Sequence, residues 1–259
     1  MNDASRNSSA SASATALAIS QHKNDKASTR RNGMNAHRSF LQEVKGLLDA
    51  NPGSYRVLYT EPKSIESHYY FVGLNPGGVE TDASDLFVES GNAVLNENWA
   101  GTKKNPLQHQ ILYFFEDMAK VLGTTGDWIP YMNTRWMISN YVFYRSPSWD
   151  IMAKKQAHIR TSKEIWRKIF TRNVPKIIVA NGFETHEHMV SLLGEFGWSK
   201  KEETRSCKAW DGPHSIVMQL GDKLCLTIGF AHLSRFPIIR REKNKECIQG
   251  LYQKIKEFH

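Results

Sequence analysis

Cysteine is scarce in this chain: Cys207, Cys225 and Cys247 are the only three in 259 residues. They form no CxxC pair and no four-ligand set, which excludes a zinc ribbon and an iron–sulfur cluster. Cys225 and Cys247 fall in apolar patterns and are expected as core thiols in a reducing compartment. Long apolar runs are missing too. None approaches the length of a membrane span, so no membrane partner is expected. The first 36 residues hold no Phe, Trp or Tyr. Rich in Ser, Ala and Asn, they cannot bury enough surface to offset chain entropy and are expected as a disordered, polar and basic tail. Their Ala-Leu-Ala-Ile patch at 16–19 is too short for a secretory core. The chain also lacks a Walker loop, a serine nucleophile elbow, an HExxH helix and any internal repeat. His186 and His188, set among Glu184 and Glu187, are two residues apart, and a helix turns them to different sides. No metal and no cofactor is expected.

What is present is basic. The formal charge is +8, which favours a polyanionic partner, nucleic acid before anionic lipid. The length suits one α/β domain over 37–259 behind the tail. Phe40, Leu41, Val44, Leu47 and Leu48 repeat at helical spacing until Asn51-Pro52-Gly53 stops them. A buried strand over 69–74 runs into Gly73-Leu74-Asn75-Pro76-Gly77-Gly78. Residues 79–105, with Phe87 and Trp99, read as a long irregular stretch, and loops of that length are usually functional. Helices follow over 107–122, around Ile165–Phe170, over 183–193 and at the C-terminus through Cys247, Ile248, Leu251, Ile255 and Phe258. Further strands are predicted over 136–143 and 176–182. Residues 216–220 and 224–230 flank the Gly221-Asp222 turn as a hairpin. Trp198 and Trp210 flank a charged segment that could line a groove. This alternation predicts an α/β fold: three-layer α/β/α, with a mostly parallel central sheet of about four strands plus a hairpin edge strand.

Three predicted strands end in polar residues. The first ends at Asn75, the second carries Ser139-Asn140-Tyr141-Val142, and the last runs into His232-Leu233-Ser234. Parallel strands bring such ends to one edge of the sheet, where ligands bind. With these motifs in this order, residues 36–259 resemble the uracil-DNA glycosylase superfamily. Gly73-Leu74-Asn75-Pro76-Gly77 is similar to the Asn form of its first motif, found in mismatch-specific and single-strand-selective branches. Leu233 stands where that family usually has Pro, and Arg235-Phe236-Pro237 follows where it often has a Pro and a Leu wedge.

The resemblance implies a monofunctional DNA glycosylase that flips a non-standard pyrimidine and hydrolyses its glycosidic bond. Asn75 and His232 would be catalytic. Asn75 is an amide that does not titrate, so it would orient a water through its carbonyl oxygen; His232 would donate a hydrogen bond to the leaving base. Asn140, Gly73 and Leu74 would hold the base. Phe87 would stack on it, with Trp99 as the competing aromatic. Gly77, Gly78, Ser234, Arg235, Arg240 and Arg241 would meet DNA phosphates. The implied setting is a monomer on DNA in the cytoplasm, or in an organelle or nucleus of a eukaryotic cell. The substrate is open between uracil or a mismatched pyrimidine and a modified cytosine, such as glucosylated hydroxymethylcytosine in phage DNA. A glycosylase-like module that grips DNA without chemistry is the alternative.

Overall fold

The computed structural model describes residues 37, 39–88, 91–99, 105–124, 127–205 and 212–259. The tail expected over 1–36 lies outside them, as do Cys207 and Trp210. The chain divides into two compact units, 1–43 and 44–259. In the first, residues 39–43 are helical; the second opens with helical residues 44–49 (α1) and holds the sheet.

Short apolar runs make the middle of that sheet. β1 (Tyr69–Gly73), β2 (Trp136–Asn140) and β3 (Ile177–Asn181) are five residues each and buried almost throughout. Strands covered on both faces need no polar alternation, and parallel pairing goes with that pattern. β2 and β3 flank β1 in parallel, and β6 (Lys223–Phe230) pairs in parallel with β3. β5 (His214–Leu220) lies antiparallel on β6, and β4 (Ser199–Arg205) antiparallel on β5. The order is β2-β1-β3-β6-β5-β4. The sheet therefore has six strands where about four and a hairpin edge were expected. The unforeseen strand, β4, reads Ser-Lys-Lys-Glu-Glu-Thr-Arg with every residue exposed. It has no apolar side chain to betray it. Its charges, and a register shift between Lys200 and Glu202, blunt the sheet edge against further pairing.

One sheet face carries Phe71, Trp136, Ile138, Val179 and Ile228 in a cluster shared with α3 (Pro106–Val121), α4 (Trp128–Arg135) and α7 (Lys245–Phe258). Phe114 of α3 is its hinge, touching the rings of Phe71, Trp136 and Tyr252. On the other face Tyr70 meets Trp166 and Phe170 of α5 (Lys155–Arg172). There Thr227 also bonds His186 of α6 (Phe183–Glu195). α4 was not foreseen, and the second strand, expected over 136–143, ends early, at Asn140. Asp127 caps it, and Pro130 sits in its first turn, where no intrahelical N–H is required. Within 79–105, Asn92 caps a short helix, α2 (Ala93–Asn96). Cys225 is a buried free thiol, but Cys247 is disulfide-bonded rather than a core thiol, so the cysteines no longer argue for a reducing compartment. Among the described residues no helix is long and apolar enough to cross a membrane.

The outer edge of β2 is covered by extended residues 55–60. Tyr59 N–H bonds Ile138 O at 2.9 Å and Arg56 N–H bonds Phe143 O at 2.8 Å. Asp85 and Leu86 bond in turn to residues 55–58. This cover protects an otherwise open strand edge and carries Arg56 and Tyr59 to the sheet's carboxyl end.

Candidate active site

The four parallel strands end on one edge, and the loops leaving them enclose a cavity of about 670 Å³. Gly73, Leu74 and Asn75 reach it from β1, Asn140 from β2, Asn181 from β3 and His232 from β6. Topology thus gathers residues that the sequence scatters over more than half the chain.

Asn75 is oriented by backbone. Its Nδ2 donates to Pro76 O at 2.9 Å and to Ser146 O at 3.3 Å. With its amide hydrogens so engaged, Asn75 has Oδ1, an acceptor, left to offer the cavity. That end can hold a water by one of its hydrogens; it cannot take a proton.

Asn140 lies opposite Gly73 across the β1–β2 pair. A Cβ on residue 73 would stand 2.3 Å from Asn140 Oδ1, so only glycine admits this amide beside β1. Asn140 is 5% exposed, and its Nδ2 has no hydrogen-bond partner. Burial raises the pKa of the nearby Tyr59 hydroxyl, and the Asn140 amide and the Arg56 and Arg145 charges temper that rise. The contact completes no hydrogen bond from Nδ2. A buried donor left so costs about 1–3 kcal/mol, a cost that a ligand oxygen would remove.

His232 is held neutral. Burial lowers its pKa, and the Arg235 charge lowers it further. Ser234 N–H points at Nδ1 from 3.3 Å and Ser234 Oγ lies 2.7 Å from it. A backbone N–H can only donate, so Nδ1 accepts and the ring proton belongs on Nε2. Asn181 faces Nε2 with Nδ2 at 3.4 Å, because its Oδ1 already takes Leu233 N–H at 2.9 Å. A donor facing a donor gives the Nε2 proton no acceptor, and it remains available to a ligand.

A charged floor completes the cavity. Arg56 pairs with Glu97 at 2.6 Å and with Asp85 at 2.8 Å, and Arg145 shares Asp85 at 3.1 Å. Burial works against the Arg56 charge, but these carboxylates hold its pKa above the ordinary value. Arg145 also donates to Gly77 O, while its Nε has no partner; nor has Trp99 Nε1. Asn140, Arg145 and Trp99 therefore each leave a buried N–H unpaired around one cavity. That arrangement suits a ligand rich in acceptors. Gly77 and Gly78 line the cavity too. Gly78 has φ +108°, and a Cβ there would stand 2.2 Å from Asp82 Oδ2, which closes the turn by accepting Val79 N–H.

Ser234 and Arg235 line the cavity, but Phe87, Arg240 and Arg241 do not. The bonds that tie Asp85 and Leu86 to residues 55–58 keep Phe87 to the side; the lining aromatics are Tyr59, Trp99 and Trp149 with Phe71 and Phe183. Arg240 pairs with Glu116 and Asp117, both at 2.6 Å, and lies over the Tyr113 ring. Its charge is taken up by its own protein rather than offered to a phosphate. Arg56, Tyr59, Glu97, Arg145 and Asn181 were not foreseen. Asn181 alone had a signal, as it closes an apolar run in the same way as Asn75.

His186 packs on Gly229 and bonds Thr227. Burial, with His214 beside it, lowers its pKa to about 4. His188 stacks on Tyr141 with centroids 4.7 Å apart. Among the described residues no group of three or more His, Cys, Asp or Glu could hold a metal ion. No protein-family model matches the chain, and no curated protein matches it.

Proposed function

We propose that the chain is a monofunctional DNA glycosylase of the uracil-DNA glycosylase superfamily, with that family's three-layer α/β/α arrangement. It acts as a monomer on DNA inside the cell, without metal or cofactor. One observation carries the proposal: Asn140 Nδ2, buried and unpartnered, opens on the same cavity as Asn75 and His232.

A base inside a duplex is out of reach, so the nucleotide must rotate out of the stack into the cavity. Asn140 Nδ2 then donates to an oxygen on the base edge, and Trp99 packs on the ring. The C1′–N1 bond breaks and its electron pair leaves with the base. His232 Nε2–H donates to a base oxygen as negative charge grows there, and it does so while neutral. The water held by Asn75 Oδ1 forms the new bond to C1′ and gives its proton to solvent. The products are a free base and an abasic site. No Lys stands in the three motifs, so no Schiff-base step is included.

Two substrate classes fit. Uracil or a mismatched pyrimidine needs little more than Asn140 and His232. A cavity of about 670 Å³ is larger than a bare pyrimidine fills, and Arg145 and Trp99 line it with unpaired N–H groups. This favours a cytosine with a bulky polar 5-substituent, such as glucosylated hydroxymethylcytosine in phage DNA, and hence a role in antiviral defence. Labelled oligonucleotides carrying uracil, G·T, hydroxymethylcytosine or its glucosylated form separate these readings. Each is incubated with wild type or Asn75→Ala and then treated with alkali. Alkali-dependent cleavage at one base, about 10²–10³-fold slower in the variant, is expected. DNA binding without cleavage of any base would move the weight to a non-catalytic module.

A further inference from the structure

Base flipping leaves a gap in the stacked duplex, and an apolar side chain inserted there keeps the nucleotide from returning. The stretch after His232 offers only the short ring of Pro237. Leu233, Ile238 and Ile239 are fully buried, and Phe236 packs against the core cluster. The exposed residues between them are Ser234, Arg235 and Pro237.

The loop leaving β2 is different. Ile151 is 69% exposed, the most exposed of the large hydrophobic side chains described. It directly follows Trp149 and Asp150, both of which line the cavity. An aliphatic side chain so exposed contributes nothing to this fold, yet its loop is held firmly. Ser146 N–H bonds Pro76 O at 3.1 Å, and Ser146 Oγ bonds Ser148 O at 2.7 Å. Trp149 lies between the His188 ring and the Lys155 ammonium, the latter 4.0 Å from its centroid. Met152, next in the chain, is buried and anchors the far side. The Asn75 turn is tied to the same loop through Ser146 O. A rigid turn that raises one bare aliphatic group beside the cavity-lining Trp149 and Asp150 has the form of a wedge. Lys154 and Lys155 follow three and four residues later and give the same loop cations suited to a polyanion.

We infer that Ile151 is the residue that enters the duplex and fills the place of the extruded nucleotide. The inference rests on the base-flipping reading above. It also places the wedge on the loop leaving β2 rather than on the segment after His232. Because Ile151 is exposed, its truncation leaves the core intact.

The test uses the full chain with oligonucleotides holding uracil opposite G, or glucosylated hydroxymethylcytosine opposite G, next to a 2-aminopurine. The same strands are also used single. Wild type should raise the 2-aminopurine fluorescence of the duplex as the neighbour unstacks. Ile151→Ala should lose most of that rise and excise from duplex about 10–100-fold more slowly, with single-strand excision within about twofold of wild type. Ile151→Leu should restore both. An unchanged ratio of duplex to single-strand rate in Ile151→Ala would overturn the wedge while leaving the glycosylase reading intact, as would wild-type activity confined to single strands. A wild type that neither unstacks nor excises either base would overturn both.

Discussion

Asn140 and Asn181 close neighbouring regions of the same sheet edge, at the ends of β2 and β3, and both are buried, at 5% and 3% exposure. Their side chains are used in opposite ways. Asn181 receives Leu233 N–H on Oδ1 and sets Nδ2 against His232. It fixes the chain and the ring that follow β6. Asn140 leaves Nδ2 unpaired beside the cavity. A buried polar group that is paired is explained by the fold. One that is unpaired costs the fold stability and is explained only by something the fold receives. The difference assigns Asn181 to support and Asn140 to contact.

The largest effect expected from breaking this contrast is at Gly73. In Gly73→Ala the new Cβ would stand 2.3 Å from Asn140 Oδ1, and the amide must turn away. Excision should fall about 10²–10³-fold, as for loss of one preorganised donor, and stability by about 1–3 kcal/mol through overpacking. Single-turnover kinetics and urea unfolding measure the two.

Asn181→Asp sharpens the contrast from the other side. The shape is kept and Leu233 N–H still finds an oxygen, but His232 Nε2–H now meets a carboxylate. Excision should fall about 10–100-fold, since a charge-assisted hydrogen bond holds the proton the base needs. The sign with pH is definite. In wild type, burial and Arg235 keep the His232 pKa below its ordinary value, so the rate should be level between about pH 6.5 and 8. The carboxylate would raise that pKa and bring the imidazole titration into this window. It would be seen in the ¹⁵N shifts of the ring without any substrate present.

The smallest effects are expected at the arginines that follow His232. Arg235 lines the cavity and Arg240 is paired with Glu116 and Asp117. Arg235→Ala should reduce the salt slope of DNA affinity by about one, and Arg240→Ala should leave it unchanged. For Arg240→Ala the stability loss should be below about 1 kcal/mol, as for surface ion pairs.

The edge that forms the cavity was legible because apolar runs such as Tyr69–Val72 stop abruptly at polar residues. Burial on both faces imposes the run, and the end of the strand releases it. Asn75, Asn140 and His232 could be placed that way. The strand Ser199–Arg205 could not, because an exposed edge strand is specified by backbone pairing alone. Arg56 and Arg145 were invisible for a related reason. Each is a single charge beside an apolar stretch, Val57-Leu58-Tyr59 or Tyr141–Tyr144, and reads as the boundary of that stretch; only the packing of residues 55–60 against β2 turns Arg56 inward. Phe87 was the expected stacking aromatic and Trp99 its competitor; Trp99 lines the cavity and Phe87 does not.

The most direct test of the contrast is Asn140→Ala, measured for single-turnover excision of the base cleaved by wild type and for thermal stability. The expected result is a rate about 10²–10³-fold lower with stability unchanged or slightly raised, since the unpaired Nδ2 contributes nothing to folding. A wild-type rate in Asn140→Ala would contradict the account, as would a loss of stability that accounts for the loss of rate.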